Sequence, residues 1–224
     1  MGFEPVTWVE AIPEIYDEAK KRLEKYPKQT ILNAVLGEKD NEQVAFYIAG
    51  TEFSSSSILE PYLIQASHPG TELIEKRNYT TVTLDTLVSN NLNALMDNSL
   101  MILDLQGAEL QVLKGATNTL NKIVYILTEV SIRKLYKKND SFKKLRRFLH
   151  SQNYLLVRAE INYTTGWGEA LFIRKDKAEL DFNSSQNVIN YTNKRKFLGT
   201  FVRIIVLKIP YLKKFYYLFS WSKQ

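Results

Sequence analysis

Cysteine is absent from this chain of 224 residues. Disulfide bonds, thiolate zinc sites and a cysteine nucleophile are therefore excluded, and a reducing compartment, or one that makes no use of thiols, suits the protein. The dinucleotide motif GxGxxG, a phosphate loop ending in GKS or GKT, the zinc-protease motif HExxH and the esterase motif GxSxG are also missing. Several enzyme classes thus lose their support from local sequence.

Long hydrophobic runs are scarce as well. The most apolar stretch, 197–209, includes Arg203 and Lys208, and it is shorter than the roughly 20 residues that cross a bilayer. The first ten residues contain acidic side chains and lack the basic start and apolar stretch of a secretory signal. We therefore expect a cytoplasmic protein without a membrane-spanning helix.

Charged residues are unevenly distributed along the chain, whose net charge is +6. Residues 182–224 contain eight Lys or Arg and no Asp or Glu, which leaves 22 basic and 24 acidic residues in 1–181. Affinity for a phosphate backbone requires basic residues gathered on one surface. The near-neutral body therefore predicts no nucleic-acid partner.

Strand-like and helix-like segments alternate through residues 5–175, and 45% hydrophobic with 24% charged residues indicate one globular domain. The run 100–105 is almost wholly apolar, as in a parallel strand buried on both faces. Segments 154–160 and 169–174 are joined by a loop alone and must pair antiparallel. The predicted fold class is α/β, a doubly wound, mostly parallel sheet with a C-terminal antiparallel hairpin. The predicted strands are 5–10, 30–36, 43–48, 79–84, 100–105, 123–129, 154–160 and 169–174, and the predicted helices are 13–26, 85–88, 108–120 and 142–149.

Ligands in doubly wound sheets bind outside the carboxyl ends of the strands, so charged residues at those ends are the first functional candidates. Glu10 ends an early strand, where a carboxylate can accept both hydroxyls of a ribose. The alternative for Glu10 is a helix-entry acid favoured by the helix dipole. Asp104 stands among apolar residues and is costly to bury without a partner or a ligand. Glu109 begins the next predicted helix, and Glu129 ends another predicted strand.

Hydroxyl and imidazole groups supply further candidates. The serines at 54–57 either donate hydrogen bonds to a sugar-like substrate or form a polar loop. A histidine can act as a general base near neutral pH, and the alternative for His68 is an inert loop residue. No cluster of His or carboxylate residues favours a metal, so we predict no metal site.

The chain contains, in order, WVEAIPEIY (8–16), NAVLGE (33–38), SSSSIL (54–59), TLDTL (83–87), MILDLQGAELQVLKGA (101–116), TEV (128–130) and GWGEALFIRK (166–175). This series resembles the FkbM family of S-adenosylmethionine-dependent methyltransferases. The resemblance covers about residues 5–175. Its most specific part is 104–116, where Asp104 is followed after two residues by Gly, Ala and Glu and later by Leu-Lys-Gly-Ala.

The resemblance implies a Rossmann-like class I methyltransferase sheet, S-adenosylmethionine as the cofactor, and a hydroxyl of a sugar, glycan or small metabolite as the acceptor. It implies that Glu10 holds the cofactor's ribose, that the turn at 33–35 borders the adenine, and that Asp104 lies by the transferring methyl. The implied site residues are, for the cofactor, Glu10, Ala11, Asn33, Ala34 and Val35, for catalysis Asp104 and His68, and for the acceptor Ser55, Ser56, Glu109 and Glu129.

The resemblance departs from the family pattern at its start. In the family, a first strand and a glycine-bearing loop precede the segment that begins here at Val6, and this sequence has no counterpart of them. An unfilled position in a parallel sheet would expose apolar flanks and unpaired backbone groups. A second hypothesis is therefore a catalytically inactive or truncated methyltransferase-like domain that acts as a membrane-associated interaction module.

Residues 176–224 lie outside the resemblance and form a predicted tail after a methyltransferase domain at 1–175. Lys196, Thr200 and Arg203 recur at helical spacing among apolar residues, and aromatic residues follow from 211 to 221. A basic amphipathic tail of this kind suits the interface of an anionic membrane. The alternative is an extra helix packed on the domain.

Overall fold

The computed structural model describes residues 5–50, 53–67, 70–91, 99–181 and 203–206. Helices and strands alternate through these residues and form two sheets, which confirms the predicted mixed α/β class. None of the helices described there is long and apolar enough to cross a bilayer.

The described residues contain ten strands and seven helices. The strands are β1 (Val6–Glu10), β2 (Gln29–Asn33), β3 (Val35–Leu36), β4 (Gln43–Ala49), β5 (Leu73–Val82), β6 (Ser99–Leu103), β7 (Ile123–Ser131), β8 (Tyr154–Asn162), β9 (Trp167–Arg174) and β10 (Arg203–Val206). The helices are α1 (Pro13–Leu23), α2 (Ile64–Ser67), α3 (Leu84–Asn91), α4 (Glu109–Lys114), α5 (Thr117–Leu120), α6 (Phe142–Ser151) and α7 (Lys175–Asp181).

The main sheet has seven strands in the order β2-β1-β10-β6-β7-β9-β8. Neighbouring strands from β2 to β7 are parallel. The pairs β7–β9 and β9–β8 are antiparallel, as the loop between the last two predicted strands requires. The carboxyl ends of the parallel strands therefore meet at one edge of the sheet.

Apolar side chains cover both faces of the main sheet. Successive residues of a strand point to opposite faces, and in β6 Ile102 belongs to one buried cluster while Met101 belongs to the other. The first cluster contains Trp8 and the inner side of α1 through Leu23. The second contains the inner side of α6 through Leu149. This two-sided burial explains the continuous apolar run in β6.

A second, three-stranded sheet has the order β3-β5-β4, and the sequence patterns did not reveal it. The predicted strand 30–36 is wrong as one element, because the chain leaves the main sheet after β2. The backbone N–H of Ala34 donates to the Glu10 carbonyl at 3.0 Å, and Val35 then pairs with Thr81 of β5. The predicted start of β5 at Tyr79 is also too late, since the strand begins at Leu73.

The predicted helix 108–120 is two short helices, α4 and α5, separated at Gly115 and Ala116. The chain passes very close to a neighbouring loop at this point. A Cβ atom on Gly115 would lie 2.5 Å from the Gly37 carbonyl oxygen. This is closer than van der Waals contact allows, so only glycine fits at position 115. The apolar residues keep their helical spacing through Gly115 and Ala116, so the sequence pattern did not reveal the break between the two helices.

The unfilled position expected in the main sheet is occupied by β10. This strand lies between β1 and β6 and is parallel to both, with Ile204 opposite Thr7 and Met101. The predicted helical spacing through Arg203 is therefore wrong at that residue, because Arg203 begins a strand. The predicted membrane contact concerns a tail whose other residues after 181 lie outside the described part of the chain.

We expect Ile204→Pro to lower the free energy of unfolding, because proline removes the backbone N–H of a strand that has a neighbour on each side. An unsatisfied buried partner costs about 1–3 kcal/mol. Urea unfolding followed by circular dichroism measures the difference. Ile204→Val keeps the N–H and the strand preference and serves as the control. Equal stability of the two variants would contradict the position of β10.

Candidate active site

The carboxyl ends of β1 and β6 border a common hollow with an empty volume of about 480 Å³. Glu10 ends β1 and Asp104 follows β6, and both side chains line this space, which we call the Glu10–Asp104 hollow. Its remaining wall is mostly apolar and includes Val35, Leu36 and Phe46. Two carboxylates thus lie where a doubly wound sheet binds its ligands.

Glu10 is a buried carboxylate with only 2% of its surface exposed. Its Oε1 accepts a hydrogen bond from the backbone N–H of Ile12 at 2.8 Å. Asn33 stands opposite Glu10 in the β1–β2 pair, and its Nδ2 donates to the Glu10 carbonyl at 2.9 Å and to the Ala11 carbonyl at 3.3 Å. One carboxylate oxygen therefore stabilises the entry to α1, as the helix-entry alternative expects, while the same side chain lines the hollow.

A left-handed turn follows Asp104, with φ values of 54° at Gln106 and 94° at Gly107. The Gln106 side chain is buried. Its Nε2 donates to Asp104 Oδ1 at 2.8 Å and to Glu129 Oε2 at 3.0 Å. Its Oε1 accepts a hydrogen bond from the Tyr136 hydroxyl at 2.7 Å. One amide therefore holds the carboxylates of two neighbouring strands in a fixed arrangement.

Glu109 stabilises the same turn from the start of α4. It is buried, and its Oε1 accepts hydrogen bonds from the backbone N–H groups of Leu105 at 2.9 Å and Gly107 at 3.1 Å. Burial raises the pKa of Glu109 to about 7, and the Asp104 carboxylate adds a smaller contribution in the same direction, while the backbone hydrogen bonds lower it. A carboxyl group with this pKa exchanges its proton near neutral pH.

A second hollow, with an empty volume of about 460 Å³, adjoins the same turn. Its wall includes Glu109, Glu129, Tyr136 and Trp167, and we call it the Glu109–Glu129 hollow. The segment 104–109 contributes residues to the walls of both hollows. The two hollows therefore border the same turn.

Eight of the eleven predicted site residues line one of the two hollows. Those that line the Glu10–Asp104 hollow are Glu10, Ala11, Ala34, Val35, Ser56 and Asp104. Glu109 and Glu129 line the second hollow, Asn33 acts through its hydrogen bonds to backbone carbonyls, and His68 lies outside the described residues. Their roles in binding and catalysis stay predictions. Among the described residues, no group of three or more His, Asp or Glu could hold a metal ion.

The serine loop makes most of its hydrogen bonds within the protein. Ser56 Oγ donates inside its own loop at 2.7 Å. Ser55 uses its carbonyl oxygen to accept from the Tyr136 hydroxyl at 3.1 Å. Ser57 Oγ donates to the Gln106 carbonyl at 3.0 Å. These contacts match the polar-loop alternative, and substrate binding by Ser55 and Ser56 stays a prediction.

Gln106 and Tyr136 are candidate functional residues that the sequence patterns did not single out. A signal for Gln106 existed, since it lies between a strand-ending Asp104 and a turn glycine, Gly107. Tyr136 gave no such signal, because it lies in a distant loop and reaches the turn only through the tertiary structure. Long-range contacts of this kind are invisible to local spacing.

We expect the free energy of unfolding to fall as pH rises from about 5 to 8, because the folded Glu109 carboxyl binds its proton more tightly than an ordinary one with a pKa of 4.5. The pKa difference corresponds to up to about 3 kcal/mol. Glu109→Gln removes this titration and keeps an oxygen that can accept both backbone hydrogen bonds. Its stability should therefore exceed the parent's at pH 8 and approach it at pH 5.

Urea unfolding at several pH values measures this difference. Glu24→Gln, at an exposed position after α1, is the matched control and should follow the parent at every pH. Parallel pH profiles for the parent and Glu109→Gln would show that Glu109 does not titrate as described.

Comparison with known proteins identifies the family of this chain. A family model for the FkbM methyltransferase domain matches residues 4–156, more than half of the sequence. No curated protein sequence and no solved structure matches the chain significantly. The matched range contains Glu10, Asp104, Glu109 and Glu129, so both hollows draw their carboxylates from it. The predicted resemblance is confirmed, and the chain belongs to the FkbM methyltransferase family.

Proposed function

We propose that this protein transfers the methyl group of S-adenosylmethionine to a hydroxyl oxygen of a sugar or small metabolite. The observation that carries the proposal is the position of Asp104. It lines the Glu10–Asp104 hollow and is joined through Gln106 to Glu129 in the second hollow. A donor in one hollow and an acceptor in the other would meet at the turn that separates them.

The Glu10–Asp104 hollow fits the cofactor by its chemistry. The Glu10 carboxylate supplies acceptor oxygens for ribose hydroxyls, and apolar side chains such as Val35 and Phe46 supply a surface for a nucleobase. The negative charges of Glu10 and Asp104 favour a cationic ligand. When bound, S-adenosylmethionine would supply an electrophilic methyl group on its positively charged sulfur.

Asp104 is the proposed base for the acceptor hydroxyl. Its Oδ1 accepts from Gln106 Nε2, which fixes the orientation of the carboxylate. As the acceptor oxygen bonded to the methyl carbon, the carbon–sulfur bond of the donor would break and leave a neutral thioether, and the O–H proton of the acceptor would pass to Asp104. A positioned base contributes roughly 10²–10⁴-fold to rate, and alignment of the two reactants contributes as well. Glu129, held by the same amide, would orient the acceptor.

The order of the strands supports a Rossmann-like arrangement. Five parallel strands stand side by side, with helices packed on both faces and an antiparallel pair at one edge. The Glu10–Asp104 hollow opens at the ends of β1 and β6, the two neighbours of β10. Binding at the carboxyl ends of central strands is the general rule for such sheets.

The competing hypothesis is an inactive module that contacts membranes through residues 176–224. The position of Glu10 and Asp104 in one hollow at the carboxyl ends of two strands favours the enzyme, because sheets of this kind bind their ligands there. Removal of 182–224 would also remove β10 from the sheet. Vesicle flotation of the full chain is therefore the appropriate assay for the membrane hypothesis.

We expect calorimetry to detect S-adenosylmethionine binding by the purified chain. Glu10→Gln removes the negative charge and one carboxylate acceptor, and it should weaken binding by at least about tenfold, which is 1.4 kcal/mol. Asp104→Asn should lower turnover by about 10²-fold or more through loss of the base, with a smaller effect on cofactor affinity.

Asp17→Asn, on the exposed side of α1, makes the same kind of charge change and should alter neither quantity. Unchanged cofactor affinity in Glu10→Gln would refute the ribose role. Unchanged turnover in Asp104→Asn would refute the role as base.

A further inference from the structure

Positive charge is concentrated in one described segment, 132–152. It holds eight Lys or Arg and a single acidic residue, Asp140, whereas the rest of residues 1–181 holds 14 basic and 23 acidic residues. The segment comprises the connection from β7 to α6 and all of α6. Residues 1–181 are near neutral in total because the strongly basic segment 132–152 offsets the acidic remainder.

Several of these cations are exposed and lack an ion pair within the described residues. Lys137 pairs with Glu60, and Lys144 pairs with Asp140. Arg133 donates to the Thr164 and Tyr163 carbonyls. The exposed cations of the segment that make neither an ion pair nor a side-chain hydrogen bond in the described part of the chain are Lys134, Lys138, Lys143, Arg146 and Arg147. Their charges are available to a ligand in solution.

The basic connection is fixed rather than loosely attached. Asn139, only 9% exposed, accepts from the Tyr136 backbone N–H at 3.3 Å and donates to the Arg133 carbonyl at 3.2 Å. The Leu135 carbonyl accepts from two backbone N–H groups of the segment 62–64. Lys138 has a left-handed backbone with φ of 65°. Its position beside the buried Asn139 is thus set by the fold.

This connection packs directly on the turn between the two hollows. A Cβ atom on Gly107 would lie 3.0 Å from Asn139 Cβ and 3.2 Å from Tyr136 Cδ2. Leu135, Tyr136, Asn139 and Phe142 line the Glu109–Glu129 hollow. Lys134, Lys138 and Lys143 are the direct sequence neighbours of these lining residues, and we call these three lysines the cationic rim.

The interior of the Glu109–Glu129 hollow has the opposite character. Glu109 and Glu129 line it, and Asp104 is joined to Glu129 through Gln106. An anionic group would be repelled by these carboxylates, whereas a hydroxyl can donate a hydrogen bond to them. A molecule that satisfies both regions places its hydroxyl inside the hollow and its anionic group outside, at the rim.

We propose that the acceptor is a phosphorylated sugar or metabolite whose phosphate is bound by the cationic rim. The inference rests on the proposed function for the identity of the reacting hydroxyl. Lysine binds phosphate as a point charge through charge-assisted hydrogen bonds. Lys134 and Lys138 lie on the fixed connection and Lys143 lies in the first turn of α6, so their backbone requires little ordering when the ligand binds. The rim thus selects phosphorylated over uncharged acceptors, while the buried carboxylates select the hydroxyl.

Calorimetric titration with glucose 1-phosphate and with glucose tests this inference on the full chain at low ionic strength. The parent should bind the phosphate ester at least tenfold more tightly than the uncharged sugar, and added salt should reduce the difference because salt screens exposed charges. The rim variant, Lys134→Glu/Lys138→Glu/Lys143→Glu, should lose at least tenfold in affinity for glucose 1-phosphate.

The control variant is Lys21→Glu/Lys39→Glu/Lys122→Glu, which makes an equal change in net charge at exposed lysines elsewhere. It should bind glucose 1-phosphate within about twofold of the parent. If the charge reversals at the rim prevent folding, Lys134→Gln/Lys138→Gln/Lys143→Gln replaces them and should show a smaller loss in the same direction. Equal affinities in the rim and control variants, or no preference for the phosphate ester, would overturn the proposal.

Two further arms separate the alternatives. Binding of S-adenosylmethionine is measured on the same preparations. Rim-dependent phosphate binding without cofactor binding would refute methyl transfer and support the anion site alone. Flotation with phosphatidylglycerol vesicles is the second arm. If the rim variant loses vesicle binding but keeps the parent's affinity for glucose 1-phosphate, the rim recognises a membrane surface and the phosphorylated acceptor is refuted.

Discussion

The left-handed turn at Gln106 and Gly107 is the constraint on which the candidate site depends. A side chain at Gly107 would press against Asn139 and Tyr136, and an L-residue at Gln106 occupies a backbone region that is unfavourable for it. The Glu109 carboxyl compensates by accepting two backbone N–H groups of the turn. The turn also directs the Gln106 amide toward the carboxylates of Asp104 and Glu129. Both hollows owe their shared boundary to this short piece of backbone.

The sequence could predict where strands end and which charged residues stand at those ends. An apolar run that stops at Asp104, and a β-rich run that stops at Glu10, place both carboxylates at the same sheet edge once the strands are parallel. Parallel strands were predictable because β6 is apolar on both faces. The ends of parallel strands therefore sufficed to place Glu10, Asp104 and Glu129 at the same edge of the sheet.

Close approaches of distant segments could not be predicted from local patterns. Gly115 interrupts a helix because its backbone meets that of Gly37, and the apolar spacing is the same with or without this contact. The hydroxyl of Tyr136 reaches Gln106 across the fold. The basic residues of α6 have the spacing of an ordinary solvated helix face, and only the packing of the connection before α6 on Gly107 relates them to the candidate site.

The position of β10 has a consequence for the order in which the molecule can assemble. The centre of the main sheet is supplied by residues 203–206, whereas its neighbours β1 and β6 are made much earlier in synthesis. Until that late segment emerges from the ribosome, two strand edges of apolar sequence remain without a partner. Pairings between segments so distant in sequence slow folding and expose nascent chains to aggregation. With this topology, the nascent chain would need chaperones to protect its unpaired strand edges during translation.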